Sequence, residues 1–357
     1  MPALPSAAEA AKILPQDPPT ILNAYTTLVL AAENAAVEAH NNMRLVQSRV
    51  VGYLMLYPPS SESLRTVTME VDSCNGLGHS DPLQAIYNLG AMYLSHLIIL
   101  FKGARGRTPA PSDHSSRPSF DRLREDCLNN PQPSPRDHSS AKASALVRDN
   151  FRCMITGKVD WGAVRRGLTD RQPREVPAFT RCCHIFPESL GNISRGSTGS
   201  KEHETATVWT TLHRFGYKDI CEELGAATTA TNLHRLENIL TLDPFVHQLF
   251  DMLHLWFEAV EGQPNVYNVA LAPDSTHEEL FLPKTVRFAS HRPGLPLPNP
   301  RYLQIHAACC RIAHMSGAAE FLDSVYQEME ELRVLAEDGA SADVLTVAIH
   351  RRLADPG

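Results

Sequence analysis

Residues 181–187 read RCCHIFP and residues 236–251 read LENILTLDPFVHQLFD, and these two runs decide the predicted fold. The first run is short and apolar and ends at a proline, which is typical of a strand. The second passes from Asn238 through an apolar strand into a helix with proline in its first turn. The predicted order is therefore a strand with His184, a strand with Asn238, and a helix with His247.

The spacing within these runs places polar side chains together. His247 and Asp251 are four residues apart, so they share one face of the predicted helix. Asn238 precedes His247 by nine residues. Further upstream, residues 148–157 read RDNFRCMITG and end in a Thr-Gly turn.

Together, RDNFRCMITG, CHIFPE and LENILTLDPFVHQLFD resemble the HNH nuclease superfamily, and most closely the HNH domain of many fungal proteins. The resemblance covers roughly residues 145–290. It implies an α+β fold: a ββα-metal (HNH) core with a long insert, flanked by N-terminal and C-terminal helical regions.

The resemblance also implies a metal-dependent endonuclease that hydrolyses phosphodiester bonds in DNA. His184 would be the general base, because a neutral imidazole accepts a proton at neutral pH, and Asn238 would orient that imidazole. His247 would bind one divalent metal ion (Mg, Mn or Zn), with Asp251 as second ligand, and the ion would polarise the phosphate. Cys183 stands where relatives carry an acidic or histidine ligand, and a thiolate favours Zn²⁺.

Other residues depart from the family or carry a plainer interpretation. Cys183 also fits a small buried apolar residue. Relatives often hold a structural zinc with two CxxC pairs, but Cys153 lacks such a partner, so no structural zinc is expected. We interpret the remaining histidines of this region and a cysteine pair of the tail as structural: His203, His213, His234, His254, Cys309 and Cys310.

The charge of the chain does not by itself indicate a nucleic-acid partner. The formal net charge is -7, and residues 141–260 contain 14 Lys/Arg and 14 Asp/Glu. DNA contact would have to come from a local basic patch or be weak. We expect DNA as partner and no small-molecule cofactor, and the oligomeric state is not predicted.

The sequence divides into four predicted regions. Residues 1–102 form a mainly helical module, with helices over 18–56 and 82–101 and a strand at 64–71. Residues 103–140 are a Pro/Ser-rich linker with a short helix at SFDRLREDCL. The HNH-like domain spans 141–290; it includes an insert at 188–235, a helix over 244–260 and strands at VYNVALA and TVRFAS. Residues 291–357 form a helical tail.

Cysteine usage and hydropathy indicate the compartment. None of the 8 cysteines forms a CxxC pair, and the N-terminal run lacks the features of a secretory signal. We therefore expect an intracellular protein of the nucleus or cytoplasm. The most apolar run, residues 89–101, is shorter than the roughly 20 residues of a membrane span. It predicts a buried helix and no membrane association.

Two alternatives to an active nuclease stay open. The first is a catalytically degenerate HNH fold that serves as a nucleic-acid-binding or protein-interaction module. The neutral charge, Cys183 and the long insert favour it. The second is a helical scaffold in which the His-Asn-His triplet is accidental; it requires that His184, Asn238 and His247 lie far apart.

Overall fold

A computed structural model describes residues 2–15, 19–76, 81–102, 131–135, 137–190, 200–225 and 232–331. The chain splits into two compact units, each made of separated stretches. The helical unit comprises Met1–Lys102, Arg195–Cys221 and Ala308–Gly357. The hairpin unit comprises Gly103–Ser194 and Glu222–Ala307.

The α-helices in chain order are α1 (Ala7–Ala10), α2 (Thr20–Ala24), α3 (Leu30–Glu38), α4 (Asn42–Leu56), α5 (Ser61–Ser73), α6 (Pro82–Tyr93), α7 (Ile99–Phe101), α8 (His138–Arg148), α9 (Trp161–Arg165), α10 (Ser200–Arg214), α11 (Lys218–Leu224), α12 (Pro244–Asp251), α13 (His277–Leu280), α14 (Pro300–Ser316) and α15 (Ala318–Glu331). The strands are β1 (Arg181–His184), β2 (Ile239–Leu242), β3 (Leu255–Ala259), β4 (Val266–Leu271) and β5 (Thr285–Arg287). Short π-helical segments lie at Tyr25–Val29 and Leu94–Ile98, and 3₁₀ turns at Asn232–His234 and Leu236–Asn238.

The helix predicted over 18–56 is present from Thr20 but is broken near its middle. His40 adopts a left-handed conformation with φ 52. The side chain of Asn41 then accepts a hydrogen bond from the Arg44 N–H and begins α4. A residue with positive φ cannot continue a helix, so two helices replace the single predicted one.

The strand predicted at 64–71 is wrong, because this run lies inside α5. Ser60 and Ser63 form a capping box that starts the helix. Leu64, Val67 and Val71 are all buried, at helical rather than alternating spacing. The β-branched residues of the run favour a strand, but the capping box and the burial of one helix face stabilise a helix instead.

The apolar run at 89–101 is helical, as predicted. Among the described residues, Pro82–Phe101 is the one helix that is long and apolar enough to cross a membrane, by length and composition alone. Of its most apolar part, 50% is buried inside the structure. The core helix of a globular unit has the same character. Length and composition are thus weak grounds for a span.

Part of the long insert belongs to the helical unit. Ser60 Oγ donates to the Phe215 carbonyl at 2.6 Å, and Tyr217 donates its hydroxyl to the Pro59 carbonyl at 2.9 Å. The ring of Phe215 packs on Tyr93 with centroids 5.7 Å apart. Phe215 and Tyr217 of the insert thus pack against the N-terminal helices.

The hairpin unit mixes helices with two small antiparallel sheets, consistent with the predicted α+β class. One sheet pairs β1 with β2, and the other has the order β3-β4-β5. The strands predicted at VYNVALA and TVRFAS are confirmed as β4 and β5. Three aromatic rings pack together on the three-stranded sheet: Phe257, Tyr267 and Phe288.

The helix predicted over 244–260 is wrong in its second half. The helix α12 ends at Asp251, and Leu253 has φ 63, which stops the helical path. The following residues form β3, which pairs with β4. His254 therefore lies beyond the helix rather than one turn further along it.

The first turns of α14 pack within the hairpin unit. Tyr302 meets Phe186 edge to face with ring centroids 5.4 Å apart. His306 stacks flat on Phe250, at 3.8 Å between centroids. The predicted tail helices are confirmed as α14 and α15. The tail beyond 331 and the predicted helix at SFDRLREDCL lie outside the described residues.

Candidate metal and nuclease site

The hairpin of β1 and β2 presents two different faces. Cys183 is paired with Leu240 and His184 with Ile239. Because successive strand residues point to opposite faces, Cys183 and His184 diverge. The thiol of Cys183 lies beside α12, whereas Cys182 and His184 lie on the side of α8. One short strand thus supplies side chains to two neighbouring clusters.

The three residues predicted to hold a metal come together on the α12 side. Ligand atoms of Cys183, His247 and Asp251 all lie within 4.8 Å of one another. His247 Nε2 is 3.2 Å from an Asp251 oxygen, across one helical turn. A sulfur, a nitrogen and an oxygen donor at such separations fit a divalent transition metal, and zinc better than magnesium.

Burial determines the protonation of this cluster. Burial raises the pKa of the Cys183 thiol well above its usual value. Burial lowers the pKa of His247 to about 4, so its imidazole is neutral at pH 7. Partial burial also raises the pKa of Asp251, and the nearby charge of Arg181 opposes this. Without a cation the cluster keeps protons, which binding of a metal would release.

His184 lies at the end of β1 and is nearly closed off from solvent. Its side chain is 7% exposed. Burial lowers the pKa of His184 to about 3, while the carboxylate of Glu188 opposes this and the imidazole of His234 adds to it. The imidazole is neutral at pH 7 and has a lone pair to accept a proton. A phosphate anion at this position would raise its basicity.

Asn238 is placed differently from its predicted role. It ends a 3₁₀ turn just before β2 and is fully buried. Its amide donates to the carbonyls of Phe186 and Leu233, each at 2.9 Å, and accepts from the Phe186 N–H at 2.8 Å. All three bonds go to main-chain atoms. Asn238 therefore fixes the chain next to His184, and no bond joins its amide to that imidazole.

Three residues near His184 were missed by the sequence interpretation: His138, Glu188 and His234. Glu188 Oε1 is 3.3 Å from His184 Nδ1, and His234 Nδ1 is 3.1 Å from His184 Nε2. His234, which the sequence analysis interprets as structural, is in contact with His184. Glu188 follows His184 by four residues in the HIFPE run, and this was the one signal available. His213 is exposed, and the side chain of His203 lies outside the described residues.

The RDNFRCMITG run supports the hairpin from behind. Arg148 is fully buried and donates to the carbonyls of Leu236 (2.8 Å) and Ile239 (2.9 Å). Cys153 accepts a hydrogen bond at its sulfur from the Asp243 N–H at 3.1 Å. Hydrogen bonds from this run thereby hold the main chain before, within and after β2. This is why the RDNFRCMITG run accompanies the hairpin in the sequence.

A local basic surface precedes β1. Five arginines are exposed at the end of α9, in the loop that follows it and on β1: Arg165, Arg166, Arg171, Arg174 and Arg181. The loop is closed at its base, where the Trp161 N–H donates to the Ala178 carbonyl at 2.8 Å. The loop ends three residues before Arg181, whose positive charge acts on His247 and Asp251 of the metal cluster. A region that is neutral by count thus carries an exposed positive charge at the site.

The hairpin unit thus carries a Cys-His-Asp group that could hold a metal ion on one hairpin face and a buried histidine on the other. A family model described as HNH endonuclease matches residues 153–258. The match includes both hairpin strands, the insert and α12, and supports the HNH superfamily and a nuclease-type domain. Neither the curated proteins nor the solved structures gave a match.

Proposed function

We propose that this protein is a metal-dependent endonuclease that cleaves phosphodiester bonds in DNA. The observation that carries the proposal is the convergence of Cys183, His247 and Asp251 on one face of the hairpin whose other face carries the buried imidazole of His184. The hairpin and α12 form the ββα-metal core in this proposal. The likeness to fungal HNH domains and an intracellular location remain predictions.

Each residue has a separate task in the proposed reaction. Cys183, His247 and Asp251 would hold one divalent cation, which supplies Lewis-acid stabilisation of the phosphate and the leaving oxygen. His184 accepts a proton from the attacking water through the lone pair of its neutral imidazole. Asn238 is a positioning residue, because it holds the backbone that carries His184.

The choice of DNA rests on the basic surface and on the family match. Arg181 is exposed, and its positive charge acts on both His247 and Asp251. A phosphate held by this guanidinium would lie next to the metal cluster. The exposed arginines between α9 and β1 extend the same surface and would contact neighbouring phosphates.

The proposal is tested by metal-dependent nicking of supercoiled plasmid with purified full-length protein. We expect cleavage with at least one of Mg²⁺, Mn²⁺ and Zn²⁺. The variant His184→Ala should lose about 100-fold or more of the rate, as removal of a general base does. His213→Ala, a change at an exposed histidine, is the matched control. Equal nicking by His184→Ala and the wild type would refute the assignment of the base.

A degenerate HNH fold remains the second candidate, and one observation favours it. Cys183 is fully buried, and its raised thiol pKa disfavours the metal-binding thiolate. If no metal supports nicking but the protein binds DNA with a strong salt dependence, the binding module is the better description.

A further inference from the structure

Three imidazoles gather around one carboxylate on the α8 side of the hairpin. From Glu188 Oε1, the Nδ1 atoms of His138, His184 and His234 lie at 2.7, 3.3 and 3.8 Å. His184 Nε2 and His234 Nδ1 are 3.1 Å apart. None of the assigned tasks in phosphodiester cleavage uses His138, Glu188 or His234.

His184, Glu188 and His234 each offer one ligand atom that lies within 4.8 Å of the other two, which is close enough for one zinc ion. Zinc binds imidazole nitrogen and carboxylate oxygen at about 2.0–2.2 Å, which places ligand atoms roughly 3.3 Å apart. The separation of Glu188 Oε1 from His184 Nδ1 is 3.3 Å, and His138 Nδ1 lies 2.7 Å from the same oxygen. Three imidazoles and one carboxylate also form a donor set that zinc favours.

The donors are available to an ion from solvent. The side chains of His138 and Glu188 are 53% and 45% exposed, so the cluster opens outward. Burial lowers the pKa of His234, and its imidazole is neutral at pH 7. Burial acts to raise the pKa of Glu188, but His138 and the other two imidazoles hold it at about 2. The cluster therefore offers lone pairs and one negative charge.

We propose that His138, His184, Glu188 and His234 form a second, zinc-type cation site, and that its occupation switches the nuclease off. The reason lies in the imidazole of His184, which in its neutral form has a single nitrogen lone pair. An ion that binds this lone pair removes the acceptor for the proton of water, whichever ring nitrogen it takes. The switch rests on the proposed nuclease function, but the existence of the site does not.

The ligands come from three separate chain segments. His138 begins α8, Glu188 follows β1, and His234 ends a 3₁₀ turn after the insert. A bound ion would link these segments around the end of the hairpin. Its affinity would therefore register as added resistance of the hairpin unit to unfolding.

The two sites can be distinguished by sulfur once Cys182, whose sulfur lies within 4.8 Å of ligand atoms of His138 and His184, is replaced by Ala in every protein tested. We would titrate metal-free full-length protein with Co²⁺ and Zn²⁺, and measure both stoichiometry and the cobalt–sulfur absorption band. The protein with Cys182→Ala alone should bind about two ions per chain, with the sulfur band present. Cys183→Ala should bind about one ion without that band, because the second site has four other donors.

The matched variant removes the second site alone. His138→Asn combined with His234→Gln should bind about one ion and keep the cobalt–sulfur band. Glu188→Gln also removes a ligand of the second site and lies at a half-exposed position. It replaces the double variant in this test if the double variant misfolds. An unchanged stoichiometry in both variants, or no binding by Cys183→Ala, would overturn the second site.

The switch is tested by nicking at increasing Zn²⁺ in the presence of the activating metal, with each protein normalised to its own zinc-free rate. The wild type should lose activity at a zinc concentration about tenfold or more below that required for the double variant. Identical zinc sensitivity would overturn the switch. Absence of nicking by the zinc-free wild type would instead refute the nuclease function, and the stoichiometry would still decide whether the site exists.

Discussion

Removal of the Arg148 guanidinium should destabilise the hairpin unit more than any surface change. Arg148 forms a two-pronged ion pair with Asp149, at 2.7 and 2.8 Å, and both side chains are buried. It also donates to three carbonyls, those of Leu236, Ile239 and Pro296. Arg148→Met would leave a buried carboxylate without its counter-charge and these carbonyls without this donor.

The expected loss can be worked from these contacts. Breaking a buried ion pair by removing one partner costs about 3–5 kcal/mol, and the freed carbonyls add to it without simple additivity. For a domain of this size, each kcal/mol lowers the melting temperature by about 2–4 °C. We therefore expect Arg148→Met to lower the melting temperature of the hairpin unit by roughly 6–20 °C.

Intrinsic fluorescence can report this unit selectively. The chain has 3 tryptophans: Trp161 and Trp256 in the hairpin unit and Trp209 in the helical unit. In a Trp209→Phe background, thermal and urea unfolding followed by tryptophan emission would report the hairpin unit alone. The complete thermal or urea unfolding curve then gives the free energy of unfolding of the hairpin unit.

Arg152 provides the matched control, since it also forms an ion pair but is nearer the surface. Its partner is Glu175, and the two side chains are 29% and 18% exposed. Such pairs contribute about 1 kcal/mol or less. If Arg148→Met costs no more than Arg152→Ala, the argument from burial is refuted. Removing the carboxylate as well, in Arg148→Met with Asp149→Leu, should recover part of the loss.

Three further predictions concern the cation, the phosphate and pH. Cys183→Ala and His247→Ala should each abolish the rise in melting temperature that Mn²⁺ or Zn²⁺ causes through the first site, because each removes one of three ligands. Arg181→Ala should raise the KM for DNA several-fold and reduce the salt slope of DNA binding by about one. His306, stacked on Phe250, has its pKa lowered to about 3 by burial, below the roughly 6.5 of an unfolded chain. Its contribution to stability is therefore present above pH 6.5 and lost as pH falls towards 3, so His306→Phe should flatten the pH dependence of the urea midpoint.

Each of these three predictions has its own control. For the cation, His213→Ala should keep the metal-dependent shift, and a shift retained by both ligand variants would exclude these residues as ligands. For the phosphate, Arg65→Ala in the helical unit should leave KM and salt slope unchanged, and an equal effect would point to overall charge. For pH, parallel curves for the wild type and His306→Phe between pH 7 and pH 4 would contradict the assigned titration.

The site was predictable where its residues are close in sequence. His247 and Asp251 share a helix face, and Cys183 lies on a strand whose partner carries the Asn238 motif. Helical spacing and strand alternation determine such placements locally. The cluster around Glu188 was not predictable in this way. His138 and His234 reach it only because α8 and the turn before β2 pack on the same hairpin face.

The errors in secondary structure have an equally specific origin. The run after Asp251 is apolar enough to continue a helix, yet Leu253 adopts positive φ and the chain turns into β3. Pairing of β3 with β4 supplies hydrogen bonds that no local pattern reveals. At α5 the reverse occurred, since β-branched residues lie in a helix whose start is determined by Ser60. At β3, pairing with β4 outweighed the helical pattern of the sequence. At α5, the N-terminal cap outweighed the strand propensity of the β-branched residues.

Each unit is made of stretches that are separated in the sequence, and this affects folding during synthesis and the choice of recombinant fragments. Residues 195–221 interrupt the hairpin unit, yet Phe215 and Tyr217 bind to the N-terminal helices. On the ribosome, each unit can finish folding only after its own last stretch has emerged, which begins at Glu222 for the hairpin unit and at Ala308 for the helical unit. A recombinant fragment cut at the limits of the nuclease-like region would carry Phe215 and Tyr217 without the surface that covers them, and we expect it to aggregate.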